Sequence, residues 1–233
     1  MLKKYPNLKN PPIVEVVVGI SIELSMEEID ILSKSEELKK QFPIKKEIKV
    51  SSIEGNEQGI KSINDDINGY LFQNEDNLIN IFLEKNRIAY SIRNKYISFE
   101  ELKENYINLV NIFQKKLPAS KQIKEIGLRY INKVIDIQDT NLFKIQLIIK
   151  KEKIIPFVVK FNKDNNNIKS TIIATLGMKD KSNNKYDIIL DINTHTQISS
   201  LDDIENSLDI MREEKNEIFF SSFDKKLIEL WEK

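Results

Sequence analysis

Between Leu142 and Thr194 the chain carries four stretches with apolar residues at every second position: Leu142 to Lys150, Ile154 to Asn162, Ile168 to Met178 and Tyr186 to Thr194. Period two is the side-chain spacing of a strand. The segments between them are short and polar, namely Lys151-Glu152-Lys153, Lys163 to Asn167 and Lys179 to Lys185. Parallel neighbours need a crossover of about a dozen residues or more, so connections this short join antiparallel strands. Pro156 cannot donate to a ladder and puts its strand at an edge or starts it late.

The upstream chain mixes the two periodicities. In Pro12 to Leu24, Val14, Val16, Val18, Ile20, Ile22 and Leu24 share one face, while Glu15, Gly19, Ser21 and Glu23, with Val17, share the other. Ser25-Met26-Glu27-Glu28 is a capping box opening a helix to about Gln41, stopped by Pro43. Ile44 to Ile53 reads as a strand and Gly55 to Asn68 as a loop or irregular edge. Gly69 to Gln73, Leu78 to Glu84 and Arg87 to Tyr96 follow as strands, with Lys85-Asn86 as a tight hairpin turn. Ser98 to Glu101 is a second capping box. Its helix carries Leu102, Tyr106, Leu109, Val110, Phe113 and Leu117 at helical spacing and ends before Pro118. Ile123 to Asp136 is a strand with Ile126, Leu128, Tyr130 and Val134 inward. Ser200 caps a helix with Ile204, Leu208 and Met211 on one face, and a last helix runs from about Asp224 to Glu232 with Leu227, Leu230 and Trp231 apolar. The order predicts an α+β fold, an antiparallel sheet or sheets with helices packed on one face. The chain divides near Pro118 into halves of similar content, without a residue-level repeat or a linker. Residues 1–233 are therefore read as one domain.

Composition narrows the chemistry. There are 36 Lys+Arg and 36 Asp+Glu, so no bulk basicity drives nucleic-acid coating. The absence of cysteine excludes a disulfide scaffold, a thiolate zinc site and a cysteine nucleophile, and a single histidine excludes multi-histidine metal sites. Ile (39), Lys (32) and Asn (24) dominate, as AT-rich codons favour, so lysine clusters carry little information. Arginine occurs only at Arg87, Arg93, Arg129 and Arg212, and its planar fork is not replaced by lysine. No stretch of 18 apolar residues predicts a membrane span. The start at Lys3-Lys4 lacks the apolar core of a secretory signal, and a cytoplasmic location is expected.

Three segments share a resemblance: Tyr5-Pro6-Asn7-Leu8 with Asn10-Pro11-Pro12-Ile13-Val14-Glu15, Gly127-Leu128-Arg129-Tyr130-Ile131-Asn132, and Leu190-Asp191-Ile192 followed by Lys215-Asn216-Glu217-Ile218-Phe219-Phe220. In these segments the chain resembles a sporadically distributed, largely uncharacterised family of bacterial and archaeal proteins. The resemblance spans nearly the whole chain and implies a single-domain prokaryotic protein with no activity to carry over. The family's patchy distribution is like that of defence or mobile-element genes.

Two constellations are candidates for chemistry. In Tyr186 to Gln197, Asp187, Asp191, Asn193 and His195 alternate onto one face, donors suited to Mg²⁺ or Mn²⁺ and to metal-assisted phosphodiester hydrolysis. The competing reading is an ordinary polar surface, which Ile189 on the same face favours. Arg129, on the polar side of its strand, reads as a fork for phosphate or carboxylate, or as a structural partner of Glu15 or Asp191. Glu15 in an apolar strand needs a partner or an exposed edge. Seven lysines between Asn141 and Ser170 and seven acids between Ser199 and Glu217 suggest complementary surfaces across a self-interface. Phe143, Phe157 and Phe161 sit on the apolar period and read as core, so nucleic-acid binding is not favoured. Phe219, Phe220, Phe223 and Trp231 likewise read as core. No Walker, dinucleotide or nucleophile-elbow motif occurs.

The leading expectation is a non-enzymatic protein-interaction module without a cofactor, homodimeric and binding a protein partner, as an antiphage-defence or toxin-neutralising component. One alternative is a metal-dependent nuclease or phosphodiesterase using Asp187, Asp191 and His195. The other is a small-ligand-binding protein with a pocket between sheet and helix.

Overall fold

The computed structural model describes residues 5–6, 8–56, 59–96, 98–118, 121–145, 147–149, 152–154, 158–165, 167–180 and 185–233. The alternating segment Ile13–Ile22 forms β1, with Val16, Val18, Ile20 and Ile22 buried. Ser25 caps α1 (Met26–Ser33) with both halves of the capping box formed. The helix expected to reach Gln41 is two helices, and α2 spans Glu36–Gln41. The break falls at Ser35, whose hydroxyl donates to Glu37 Oε2 at 2.8 Å. Such a local side-chain bond competes with helix continuation.

β2 (Ile44–Asn56) and β3 (Gly59–Gln73) form a long antiparallel hairpin. This corrects the loop expected over Gly55 to Asn68. The segment is too polar to read as a strand, but its backbone bonds are supplied by β2 and need no apolar face. β4 (Ile79–Glu84) and β5 (Arg87–Arg93) follow, joined by the Lys85-Asn86 turn. α3 (Phe99–Gln114) is capped by Ser98 and ends three residues earlier than Leu117. It buries Leu102, Tyr106, Leu109, Val110 and Phe113.

β6 (Ile123–Ile137) places Ile126, Leu128, Tyr130 and Val134 in the core. The strand expected over Leu142 to Lys150 is not a member of the main sheet. Leu142 lies in a 3₁₀ turn, and β7 (Leu147–Ile149) pairs only with β8 (Glu152–Ile154). β9 (Val158–Asn165), β10 (Ile168–Asp180) and β11 (Lys185–Gln197) are the expected meander. Pro156 and Phe157 lie outside the described residues, although β9 is an edge strand. Phe143 is core, whereas Phe161, on the edge strand, is 39% exposed. A 3₁₀ turn, Leu201–Asp203, leads from the cap Ser200 into α4 (Ile204–Ser222), and α5 (Lys225–Glu232) closes the chain. In α5 Leu227 is buried but Leu230 is exposed, since it faces away from the aromatic cluster of Phe143, Phe219, Phe223 and Trp231.

Nine strands make one antiparallel sheet in the order β2-β3-β4-β5-β1-β6-β11-β10-β9, the α+β arrangement expected. Connectivity repeats about its centre. β1 is followed by an excursion and then by β3-β4-β5, a meander returning to pair with β1 before α3. β6 is followed by an excursion and then by β9-β10-β11, a meander returning to pair with β6 before α4. β1 and β6 pair with each other, Gly19 opposite Gly127. α3 and α4 lie against the face that carries the even-numbered residues of β1 and β6, where the larger apolar cluster unites both halves. The opposite face carries the odd-numbered residues and, among the described residues, no helix.

Gly69, where β3 meets β4 beside a register shift against β2, shows how tightly this part is built. A Cβ there would lie 2.1 Å from the Leu83 carbonyl oxygen and 2.7 Å from Glu84 Cα, both backbone atoms. Relief requires movement of a paired strand, so Gly69→Ala is expected to destabilise the protein by about 2 kcal/mol or more, read as the shift in urea midpoint.

Candidate functional site

Asp187, Asp191 and His195 do lie on one face of β11, but they do not converge. Successive members are four residues apart on a strand, roughly 13 Å at about 3.3 Å per residue, so one ion cannot touch all three. Each is also engaged elsewhere. Asp191 takes both arms of Arg129, Nε at 2.9 Å and the second guanidinium nitrogen at 2.6 Å. Asp187 accepts the Asp136 amide at 3.2 Å and lies 3.7 Å from Lys133, while His195 is 4.0 Å from Glu125. Among the described residues no group of three His, Cys, Asp or Glu side chains is placed to hold a metal. On this strand the three candidate side chains lie in a row of cross-strand contacts, as the polar-surface reading has it.

Arg129 and Glu15, the two binding candidates, belong to the same helix-free face. Arg129 takes Asp191, not Glu15, as its partner. Glu15 is held by Arg93 at 2.9 Å and by the Ser91 hydroxyl at 2.7 Å, with its side chain 20% exposed. These pairs bridge neighbouring strands β5-β1 and β6-β11 and satisfy one another. The complementary lysine-rich and acidic segments also meet, within the chain. Lys163 of β9 reaches Glu214 at 2.8 Å and Glu217 at 3.6 Å on α4.

The segments that carry the sequence resemblance meet on the other face. Pro11 and Ile13 lead into β1, Asn132 lies in the buried run of β6 between Tyr130 and Val134, and Lys215, Asn216, Phe219 and Phe220 lie on the second half of α4. Together with Tyr5, Tyr96 and Arg212 they border a cavity of about 370 Å³. The opening segment is fastened over it. The Asn10 amide donates to the Trp231 carbonyl at 3.0 Å, the Lys133 amide to the Pro12 carbonyl at 2.7 Å, and the Tyr5 ring stacks on Phe220 with centroids 5.1 Å apart.

Lys215 is the decisive group. Its side chain is half-buried, and its amino group is enclosed at 4.2 Å from the centroid of the Tyr130 ring. Among the described residues no carboxylate lies within ion-pair distance of it. The neighbouring cations differ: Arg212 donates to Glu100 at 2.8 Å and stacks over Phe99 at 4.5 Å, and Lys163 holds Glu214. Burial, aided by the positive charge of Arg212 and opposed by Glu213, lowers the Lys215 pKa to about 7. An uncompensated ammonium in an enclosed site is costly, and releasing its proton is the usual relief. Beside it the Tyr130 hydroxyl lies 3.4 Å from that of Tyr96, and burial raises the pKa of both phenols. Asn132, fully buried, donates to the Leu190 carbonyl at 3.0 Å at the cavity wall.

The repeat in connectivity allows the helical runs of the two halves to be compared. Aligned on Ser98, the N-cap of α3, and Ser200, the N-cap of the 3₁₀ turn that leads into α4, the runs put Leu102, Tyr106 and Leu109 onto Ile204, Leu208 and Met211, all buried. Continuing, Val110, Phe113 and Leu117 fall onto Arg212, Lys215 and Phe219. Val110, Phe113 and Leu117 border a gap in the first half that is largely apolar, with Gln114 and Lys121 at its rim, and only about 90 Å³. In the second half two cations replace two core residues and the gap is about four times larger.

Lys215 was legible in one respect. Ile204, Leu208, Met211, Lys215 and Ile218 follow the 4-3-4-3 spacing of a helical stripe, so a lysine interrupts an otherwise apolar face. Its neighbours Glu213, Glu214 and Glu217 disguise it as part of a solvated charge run. Compared with known proteins, the chain matches no family model and no curated protein. Among the described residues no helix is long and apolar enough to cross a membrane.

Proposed function

We propose that this protein binds a small organic anion in the cavity between the opening segment, β6 and α4. The observation that carries the reading is Lys215, an amino group without a carboxylate partner among the described residues, at a position that aligns with Phe113 in the other half. A cavity of about 370 Å³ lies within the range of about 300–1,000 Å³ usual for small-molecule sites. Its wall combines aromatic surface from Tyr5, Tyr96, Phe219 and Phe220 with the polar groups of Asn132, Arg212, Glu213, Lys215 and Asn216, so that it can take an apolar body and orient a charged end. Arg212 uses one guanidinium nitrogen for Glu100, and its remaining donors suit a carboxylate. Glu213 at the border would accept from a ligand hydroxyl or amine.

A panel of small mono- and dicarboxylic acids, screened by saturation-transfer NMR at neutral pH, is expected to give saturable signals from at least one class. Lys215→Met and the cavity-filling Asn216→Trp are each expected to abolish them with the fold retained. Equal signals from wild type and both variants, or none from wild type, would refute the reading.

A further inference from the structure

Resting on that ligand-binding reading, we propose that Lys215 forms a reversible imine with the carbonyl carbon of a small 2-oxo acid held by Arg212. Three features of the site fit this chemistry and are not needed for simple anion capture. The first is the arrangement of the two cations. Arg212 and Lys215 are three residues apart on one helix face, and side chains so spaced are neighbours. A 2-oxo acid has the same adjacency, a carboxylate next to an electrophilic carbonyl. Arg212 stays charged and takes the carboxylate, which leaves the carbonyl carbon towards Lys215.

The second is the setting of the amine. Tyr130 offers it a ring face, a weaker partner for an ammonium than a carboxylate, and among the described residues no carboxylate holds the ammonium form. A lysine desolvated beside another cation is the usual activated amine nucleophile. With the Lys215 pKa near 7, against about 10.4 for an exposed lysine, the neutral fraction at pH 7 exceeds that of surface lysines by on the order of a thousandfold.

The third is the phenol pair. Tyr96 borders the cavity and its hydroxyl lies 3.4 Å from that of Tyr130, the residue beneath the amine. The step balances without a redox partner. The Nζ lone pair forms the C–N bond and the carbonyl π pair moves to oxygen. A proton passes from nitrogen to that oxygen, giving a carbinolamine. A second proton, delivered from the Tyr96 side, lets the oxygen leave as water while the nitrogen pair closes the C=N bond as a protonated imine, and the N–H proton returns to the donor to leave the neutral imine. Hydrolysis runs the same steps backwards.

The test is reductive trapping. Wild-type protein, Lys215→Arg and Arg212→Gln are each incubated at neutral pH with pyruvate, or with acetaldehyde as a probe without a carboxylate, and cyanoborohydride is added. Adducts are counted by intact mass and located by peptide mapping. Wild type is expected to give one saturable pyruvate adduct on Lys215, and Lys215→Arg none there. Arg212→Gln is expected to lose at least about tenfold in pyruvate trapping while retaining acetaldehyde trapping. Adducts scattered over surface lysines, or pyruvate that binds by saturation-transfer NMR without a Lys215 adduct, would overturn the imine while leaving the binding reading intact. Absence of binding by pyruvate and by every acid of the panel would overturn both.

Discussion

Replacing Lys215 with methionine is expected to make the protein more stable and to empty it of function at once. The sign follows from linkage. In the folded state the Lys215 pKa is lowered to about 7, while in the unfolded chain it returns to about 10.4. Below pH 7 both states bind the proton, and the folded state carries the full cost of an enclosed charge. Between about 7 and 10.4 the unfolded state binds the proton and the folded state does not, so wild-type stability rises with pH. Above about 10.4 the cost is gone. At about 1.4 kcal/mol per pKa unit the cost has an upper bound near 4–5 kcal/mol, and the half-buried side chain brings the expected gain to about 2–3 kcal/mol. Lys215→Met should therefore show its greatest advantage over wild type at pH 6 and converge on it towards pH 10. The charged and titratable groups around Lys215 are Arg212, Glu213 and Glu217 on α4, Tyr130 on β6, Tyr96 before α3 and Tyr5 in the opening segment. The phenols of Tyr96 and Tyr130 have raised pKa values and remain neutral over this range. Chemical denaturation at several pH values measures the difference. A lysine that destabilises its own fold is expected at a site and not in a scaffold.

The reciprocal change should fail. Phe113→Lys places the same group at the aligned position of α3, where the space is about 90 Å³ and its border is largely apolar, with Ile20, Ile22 and Ile88. Phe113 is 1% exposed, so the variant loses a packed ring and gains a charge without a partner. The expected destabilisation is about 4 kcal/mol or more, enough to threaten folding of an ordinary domain. The two substitutions differ in sign because the halves share a topology and not a chemistry. If both destabilise by similar amounts, Lys215 belongs to the scaffold and the cavity loses its claim to be a site.

What could be seen in the sequence follows from which forces are local. β1, β6, α3 and α4 were legible because alternation, helical stripes and the serines at 25, 98 and 200 act over a few residues. Antiparallel pairing was legible from connection length alone. The polar strand around Asp65 and Asp66 was not, because its stability lies in bonds to β2 rather than in its own pattern. Leu142 to Lys150 failed for the opposite reason: the alternation is present, but Leu142 enters a 3₁₀ turn and Leu147–Ile149 pairs locally with Glu152–Ile154. At the candidate residues, the pairing of Arg129 with Asp191 was foreseeable as one of two options, since both are polar-face residues of strands. The divergence of Asp187, Asp191 and His195 follows from strand rise. The cavity itself was hidden because it needs Tyr5, Tyr96, Asn132 and Lys215, four residues spread over more than two hundred positions of chain. Only the break in the α4 stripe announced it.

The most direct test is a ¹³C-detected pH titration of the lysine side-chain resonances, with Lys215→Met used to assign the odd one. The account predicts a single lysine titrating near pH 7, absent from the variant, and shifted by the 2-oxo acid that binds. If every lysine titrates near its ordinary value of about 10.4, the amino group of Lys215 is solvated or paired and the proposed site does not exist as described.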